Sequence, residues 1–536
     1  MEALIVIVLA LLVIAGSRIL APRLRLAAPL LLVLVGIGVS FIPAVPAISV
    51  NPEWIIAGVL PPLLYASAVS VPTMEFRRDF GAISGLSVAL VLLTAVALGF
   101  VFTLVVPGLD IWWGIALGAI ISPTDAVATS IVRQSGVSGR TVTMLEGESL
   151  LNDATALVLL RTAVAGAAAA VGFWSAVGTF AFAIVVALIL GVAVAHATLW
   201  ARRQTKDPTV NTVISLTAPF LASVPAELLG ASGLFAAVVA GLVTGHRSPR
   251  VLSAQHRLSV DQVWRTIELV LEGLIFLLMG LEIYGLILDV EEVHGHVGPA
   301  VLIAAIGLGA VLLIRAAYLA PLMAGLTRRS RRAERIAPHI EERRRRRSTH
   351  PTPDEADPRQ HRIGLWERRM LADIDYLRTA PFGWREGGVL VWAGMRGAIT
   401  LAAAQTLPPE TPHRSLLILA AFFLATGSLL IQGTTLGFVV RLLKPAARSP
   451  ELLETERQEL NAILAAIRPA PAAASAHSTA PQSVQDELNV VEAQRQALFS
   501  ARGEGSFSSE TLERALGQLD ARQLSLELLD DSGEDD

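Results

Sequence analysis

Ile121-Ser122-Pro123-Thr124-Asp125-Ala126 is a polar interruption within a long apolar stretch, and it decides the fold we expect for the chain. Proline removes a backbone hydrogen-bond donor and clashes with the preceding turn, so a helix should open near Pro123. Opened backbone inside a membrane is tolerated only where it is buried in protein or lines a cavity. A simple proline kink is the alternative. Because a carboxylate is expensive to keep in hydrocarbon, Asp125 favours a functional site.

The composition is that of an integral membrane protein. Of the 536 residues, 53% are apolar and 17% are charged, whereas about a quarter of the residues in soluble domains are charged. The chain has no cysteine, which excludes disulfides and thiolate metal sites. The first apolar run lacks a basic segment and a clear cleavage site. We therefore interpret it as a retained helix, with an atypical signal peptide as the alternative.

Thirteen stretches are apolar and long enough to be candidate spans, since a crossing helix needs about 20 residues. They are roughly 2–17, 27–43, 54–70, 82–106, 111–132, 142–165, 173–200, 209–226, 230–244, 262–286, 297–325, 386–406 and 414–443. The eighth is the weakest because it contains two prolines. The sequence thus predicts an all-α, polytopic membrane protein.

Basic residues in the links between spans predict the orientation of the chain. Links after even-numbered spans are nearly free of lysine and arginine, with Arg414 as the main exception. The basic residues after odd-numbered spans are Arg18, Arg23, Arg25, Arg77, Arg78, Arg133, Arg140, Arg202, Arg203, Lys206, Arg247, Arg250 and Arg257. Such links face the cytoplasm. We therefore expect a plasma-membrane protein with its N-terminus outside and its C-terminus in the cytoplasm.

The chain is expected to divide into a membrane domain, residues 1–444, and a cytoplasmic helical tail, residues 445–536. Within the first, the arginine-rich segment 327–369 is expected to be a cytoplasmic loop. It either contacts anionic lipid headgroups or is a solvated topology anchor.

Periodic apolar residues in the tail predict helices at 450–467, 483–502 and 509–529, with a flexible Pro/Ala linker at 468–472. Regulation, self-association and plain solvated helices all remain open as roles for this tail.

Asp125 and Asp153 are expected at a common depth. At about 1.5 Å per residue, Asp153 lies about 16 Å into the sixth span and Asp125 about 21 Å into the fifth, both near the middle of a ~30 Å core. Spacing places Ser149 on the same helical face as Asp153, and Glu148 with Asn152 on the neighbouring face. One face then supplies oxygens to an ion, while the other makes structural hydrogen bonds or an ion pair. The opened backbone would add the carbonyl of Thr124.

A second interruption, Gly394-Met395-Arg396-Gly397-Ala398, lies in the twelfth span. Paired interruptions in the two halves of a membrane protein indicate inverted repeats, so the fifth and twelfth spans are expected to be opened, crossing helices. Arg315 in the eleventh span is another buried cation. Because an unpaired buried charge is costly, we expect Glu148 to pair with Arg396 or Arg315, and spacing does not choose between them.

These motifs resemble the monovalent cation/proton antiporter family, in its sodium/proton exchanger branch of bacterial type. The segments 122–125, 148–153 and 394–398 stand in the family's order, and 60–65 in the third span is similar too. The resemblance covers about residues 1–444. One departure is that Ala66 and Ser67 occupy a region where many relatives carry an acid.

The resemblance implies a homodimer with a dimerisation domain and a moving ion-binding core. It implies Asp153 as the essential carrier of cation and proton, with Asp125, Thr124 and Ser149 nearby. Asn152 before the aspartate, rather than a second acid, is similar to electroneutral one-for-one exchangers.

The expected function is secondary active transport that exchanges a monovalent cation for H⁺. The expected ion is Na⁺, with K⁺ and Li⁺ as alternatives, and neither a cofactor nor nucleic acid is expected. A cation channel and a pH- or lipid-sensing membrane protein with the same fold are the rival functions. An intramembrane hydrolase using Ser149 or an aspartate pair is disfavoured, because no glycine elbow surrounds Ser149 and no histidine lies in the polar cluster.

Overall fold

The computed structural model describes residues 2–24, 26–43, 51–169, 173–349, 358–379, 382–447, 450–467 and 484–534. The regular structure in these residues is helical, and the one β-type pairing among them is an isolated bridge between Val137 and Ala447. The predicted linker at 468–472 lies outside the described residues. Two short π-helical stretches, Trp54–Val59 and Gly85–Ala89, precede helices α3 and α6.

The helices are α1 (Glu2–Leu24), α2 (Ala28–Ser40), α3 (Leu60–Ser70), α4 (Thr73–Arg78), α5 (Phe80–Ser84), α6 (Leu90–Val105), α7 (Ile111–Ile121), α8 (Val127–Gln134), α9 (Gly139–Ala169), α10 (Phe173–Gln204), α11 (Pro208–Leu228), α12 (Gly233–Val251), α13 (Ala254–Leu281), α14 (Ile283–His294), α15 (Gly298–Thr349), α16 (Pro358–Thr379), α17 (Trp384–Trp392), α18 (Ala398–Gln405), α19 (Arg414–Leu443), α20 (Pro450–Ala466), α21 (Val484–Glu504) and α22 (Ser509–Glu534).

Every predicted span contains a helix, and the all-α membrane fold is confirmed. Among the described residues, eight helical segments are long and apolar enough to cross a membrane, and shorter apolar helices accompany them. The number of thirteen crossings stays a prediction. Both predicted openings are present, because α7 stops at Ile121 before α8 begins at Val127, and α17 stops at Trp392 before α18 begins at Ala398.

The segment 327–369 is mostly helical rather than a loop. Helix α15 continues from the membrane span to Thr349, and α16 begins at Pro358. The end of an apolar run marks where a span leaves the hydrocarbon, but arginine, glutamate and alanine are good helix formers and let the same helix continue.

The helices pack as two bundles. The broken-helix bundle contains α5 to α9, α15 and α17 to α19, and the continuous-helix bundle contains α1 to α3 and α10 to α13. Glycines permit close approach inside them, as is common between membrane helices. A β-carbon at Gly114 of α7 would lie 2.6 Å from the Gly99 carbonyl oxygen of α6, and one at Gly118 would overlap the Ala95 carbonyl.

Helices α20, α21 and α22 are the three tail helices that the apolar periodicity predicts. They share a small apolar core that includes Leu460, Val491, Leu498, Leu512 and Leu519. This core is separate from the two apolar cores of the membrane domain.

Candidate functional site

The two helix openings meet each other in the middle of the broken-helix bundle. The backbone N–H of Asp125 donates to the Met395 carbonyl at 2.8 Å, which joins the α7–α8 break to the α17–α18 break. The Oδ1 of Asp125 accepts from the Val127 N–H at 2.8 Å. This turn-type bond starts α8 just after the proline has ended α7, and it fixes the carboxylate at the crossing.

Helix α9 binds the same break through Thr124. Ser149 Oγ donates to the Thr124 carbonyl at 2.9 Å, and Asn152 Nδ2 donates to Thr124 Oγ1 at 2.6 Å. Thr124 Oγ1 in turn donates to Glu148 Oε1 at 3.3 Å. The two helical faces predicted for α9 therefore converge on one residue. The Thr124 carbonyl, expected to be free for a cation, here accepts the serine hydroxyl.

Asp153 lies one turn further along α9 and is only 4% exposed. Among the described residues, its Oδ1 and the neighbouring Oδ1 of Asn152 are buried oxygens without a hydrogen-bond partner. An unsatisfied buried acceptor costs on the order of 1–3 kcal/mol. Asp153 directly follows Asn152, whose side chain binds Thr124 in the α7–α8 break. The arrangement is rich in acceptors and suits a proton or a small hard cation.

Glu148 pairs with Arg315 of α15. Both guanidinium NH groups reach the carboxylate, one of them at 2.8 Å from Oε2, and Arg315 Nε donates to the Leu390 carbonyl of α17 at 2.9 Å. Both side chains are at most 2% exposed. The pair therefore ties α9, α15 and α17 together beside the crossing.

Arg396 lies at the second break and has a different set of partners. Its Nε donates to the Ile121 carbonyl at 2.9 Å, and NH1 donates to the Gly394 carbonyl. These carbonyls lie at or just past the C-terminal ends of α7 and α17, where a helix carries partial negative charge. Within the described part of the chain Arg396 makes no ion pair with a carboxylate. Its positive charge is instead compensated by the partial negative charges at the ends of α7 and α17.

Sequence reasoning missed the support from α19. Ser428 Oγ accepts from the Arg396 N–H at 2.9 Å, and Gln432 Nε2 donates to the Trp392 carbonyl at 3.0 Å. The available signal was two polar residues four apart in an apolar span, which places them on one helical face.

In the third span, where many relatives carry an acid and this chain has Ala66 and Ser67, the structure shows a polar contact that the sequence did not predict. Ser67 Oγ donates to Glu268 Oε1 of α13 at 3.3 Å. An acid from a different helix therefore lies where the sequence showed only Ala66 and Ser67.

Opened helices that cross around a buried carboxylate define a class of membrane ion transporters. Residues 7–442 match the sequence model of a protein family described as "Sodium/hydrogen exchanger, transmembrane". The chain belongs to this family, which is one of transporters rather than enzymes, and the resemblance stated from the motifs is confirmed.

Two relatives illustrate how far the likeness extends. The uncharacterized Na⁺/H⁺ exchanger YjcE of Escherichia coli is 30% identical over 428 residues, which cover 75% of this chain and 70% of that protein. An uncharacterized Na⁺/H⁺ exchanger of Mycobacterium tuberculosis is 28% identical over 519 residues, covering 95% of this chain and 87% of the relative.

The fold matches that of a solved structure, the sodium proton antiporter MjNhaP1 from Methanocaldococcus jannaschii. The TM-score is 0.58 at 17% identity, and the match covers 83% of this chain and 99% of the other. The predicted antiporter fold is thereby confirmed.

Proposed function

We propose that this chain exchanges a monovalent cation, with Na⁺ as the expected ion, for H⁺ by alternating access, and that Asp153 is the carrier of both. Membership of the sodium/hydrogen exchanger family supports cation/proton exchange and does not favour the channel alternative. The single observation that carries the residue assignment is the Asp153 carboxylate, which is buried beside the crossing with an oxygen that has no partner in the described chain.

Competition at one carboxyl group explains how two fluxes become coupled. Burial disfavours the charged form of a carboxyl group, so Asp153 is stabilised either by a proton or by a cation. A group that has bound a proton no longer has the charge that holds the cation. If only the loaded site can pass between the two sides, the release of one ion requires the uptake of the other.

The neighbouring residues receive distinct roles in this proposal. Asp125, Thr124 and Ser149 supply oxygens close to the carrier, and Asn152 positions Thr124 through its 2.6 Å hydrogen bond. Because Asn152 is neutral, the α9 motif contributes one exchangeable charge, which supports one-for-one, electroneutral exchange. The Glu148–Arg315 pair and Arg396 stabilise the broken helices and do not carry the ion.

We also propose the cytoplasmic placement of the tail and of the links after odd-numbered spans. Contacts support one common side for these segments, because Arg78 binds Asp373 of α16 at 2.6 Å and the Ser138 N–H donates to the Ala446 carbonyl at 3.0 Å. Their arginine content supports the assignment of that side to the cytoplasm. A plasma-membrane homodimer, a division of the chain at 444/445 and contact of segment 327–369 with anionic lipid complete the proposal.

Asp153→Asn tests the carrier role. In proteoliposomes with an imposed pH gradient, wild-type protein should dissipate the gradient when Na⁺, Li⁺ or K⁺ is added. The variant should lose this activity, because an amide neither releases a proton nor pairs with a cation. Asp289→Asn, the same chemical change at an exposed position, should behave as wild type.

Wild-type flux in Asp153→Asn, at equal incorporation into the liposomes, would refute the assignment. A voltage-sensitive readout in the same vesicles measures stoichiometry. Cation current without proton movement would identify the channel alternative.

A further inference from the structure

The N-terminus of helix α22 in the tail is hydrogen-bonded to α4, the short helix that links α3 to the broken-helix bundle. The Glu75 carboxylate of α4 accepts from the Ser509 N–H at 2.9 Å and also from the Ser509 hydroxyl. Glu75 is 8% exposed and Ser509 is 5% exposed. A carboxylate at the N-terminus of a helix satisfies its free N–H groups and its partial positive charge. Glu75 therefore caps a helix that lies more than four hundred residues away in sequence.

The same helix is fastened three turns later to α13 of the continuous-helix bundle. Arg257 Nε lies 3.2 Å from Asp520 Oδ2, and its NH2 group reaches Oδ1. Arg495 of α21 donates to Asp520 Oδ1 at 3.0 Å. Asp520 is 4% exposed, so two arginines from different parts of the fold compensate one buried charge.

Helix α21 and the turn after it add contacts on both sides. Arg502 NH2 donates to Thr73 Oγ1 at 3.0 Å, and Arg78 NH2 donates to the Gly505 carbonyl at 3.0 Å, both toward α4. Toward α12, the Arg250 guanidinium lies over the Phe499 ring at 5.7 Å from its centroid. The tail is therefore bound to both halves of the membrane domain.

The two anchors belong to parts that should move relative to each other. Helix α4 packs on α5 and α9 of the broken-helix bundle and more weakly on α12, whereas the segment around Arg257 begins α13, which packs on α2, α3 and α11. Helix α22 spans the interval of 11 residues, about 16 Å, as a continuous strut. Alternating access in folds of this kind displaces one bundle against the other. A rigid element fixed to both must release one end or resist the displacement.

We propose that α21 and α22 form a strap that restrains movement between the bundles and lowers the exchange rate until one anchor releases. This inference rests on the proposed exchange function. In the part of the chain that the structure describes, the strap makes no contact with Asp153, so its removal should change the exchange rate while leaving ion selectivity unchanged.

The test uses full-length protein with Glu75→Gln, Arg257→Gln and the double variant. Each change keeps the size of the side chain but weakens one anchor. Arg514→Gln is the matched control, because Arg514 pairs with Glu510 on α22 itself. Two quantities are measured, namely cation-dependent proton flux in proteoliposomes and amide hydrogen exchange of residues 509–528.

The double variant should show faster hydrogen exchange in α22 and an exchange rate raised roughly fivefold, with an unchanged order of preferred cations. Arg514→Gln should change neither quantity. Released α22 with a wild-type or lower transport rate would overturn the strap, and so would an altered cation preference. Absence of flux in the wild-type protein would instead count against the proposed function.

Discussion

At the scale of single residues, the crossing depends on a position that has no side chain. Gly397 begins the second half of the broken pair α17–α18, and a β-carbon built there would overlap the Asp125 carboxylate and lie 2.9 Å from its Cβ. Asp125 cannot simply turn away, because its N–H and Oδ1 are both engaged in hydrogen bonds. The glycine therefore sets how closely the carboxylate approaches the second break.

Gly397→Ala should displace Asp125 and lower cation-dependent proton flux by about tenfold or more, because small displacements of reacting groups are costly. Flux in proteoliposomes at several Na⁺ concentrations measures the effect. Gly427→Ala is the control, since a β-carbon at Gly427 of α19 meets nothing within 4 Å. Equal flux in Gly397→Ala and wild type would show that the Asp125 geometry is not limiting.

At the scale of helices, the sequence predicts the positions of the helix breaks better than the side-chain contacts between helices. Proline and paired glycines have local effects on the backbone, so the openings at 122–126 and 393–397 could be located without coordinates. The choice of Arg315 for Glu148 could not, because it depends on how α9 and α15 pack. The extension of α15 beyond the apolar run was missed for a related reason. Hydropathy indicates which residues lie in hydrocarbon, but it does not indicate where a helix ends.

The ion pair that joins α9 to α15 gives a prediction about stability. Glu148→Gln leaves the Arg315 charge buried without its carboxylate, which should destabilise the protein by about 3–5 kcal/mol. Combining it with Arg315→Gln removes the uncompensated charge and should restore part of that loss. Thermal unfolding in detergent measures both effects, with the exposed Glu291→Gln as the control. A double variant less stable than Glu148→Gln alone would contradict this explanation.

At the scale of the whole molecule, the side opposite the tail holds a contact between the two bundles. Gln405 Nε2 at the end of α18 donates at 2.6 Å to Glu282 Oε2, just past the end of α13. Glu282 is 4% exposed. If the bundles shift against each other during exchange, this contact must separate in part of the cycle.

A covalent link at this contact should stop transport. The chain has no cysteine, so Glu282→Cys with Gln405→Cys gives one defined pair for a short, reducible crosslinker. Crosslinked protein should lose nearly all cation-dependent proton flux, because its bundles are held in one arrangement, and cleavage of the linker should restore it. Asp261→Cys with Arg265→Cys, a pair within α13, controls for the reagent and should keep its flux when linked. Exchange at the same rate before and after linking 282 to 405 would mean that the two bundles do not separate here, and the moving part would have to be smaller than a bundle.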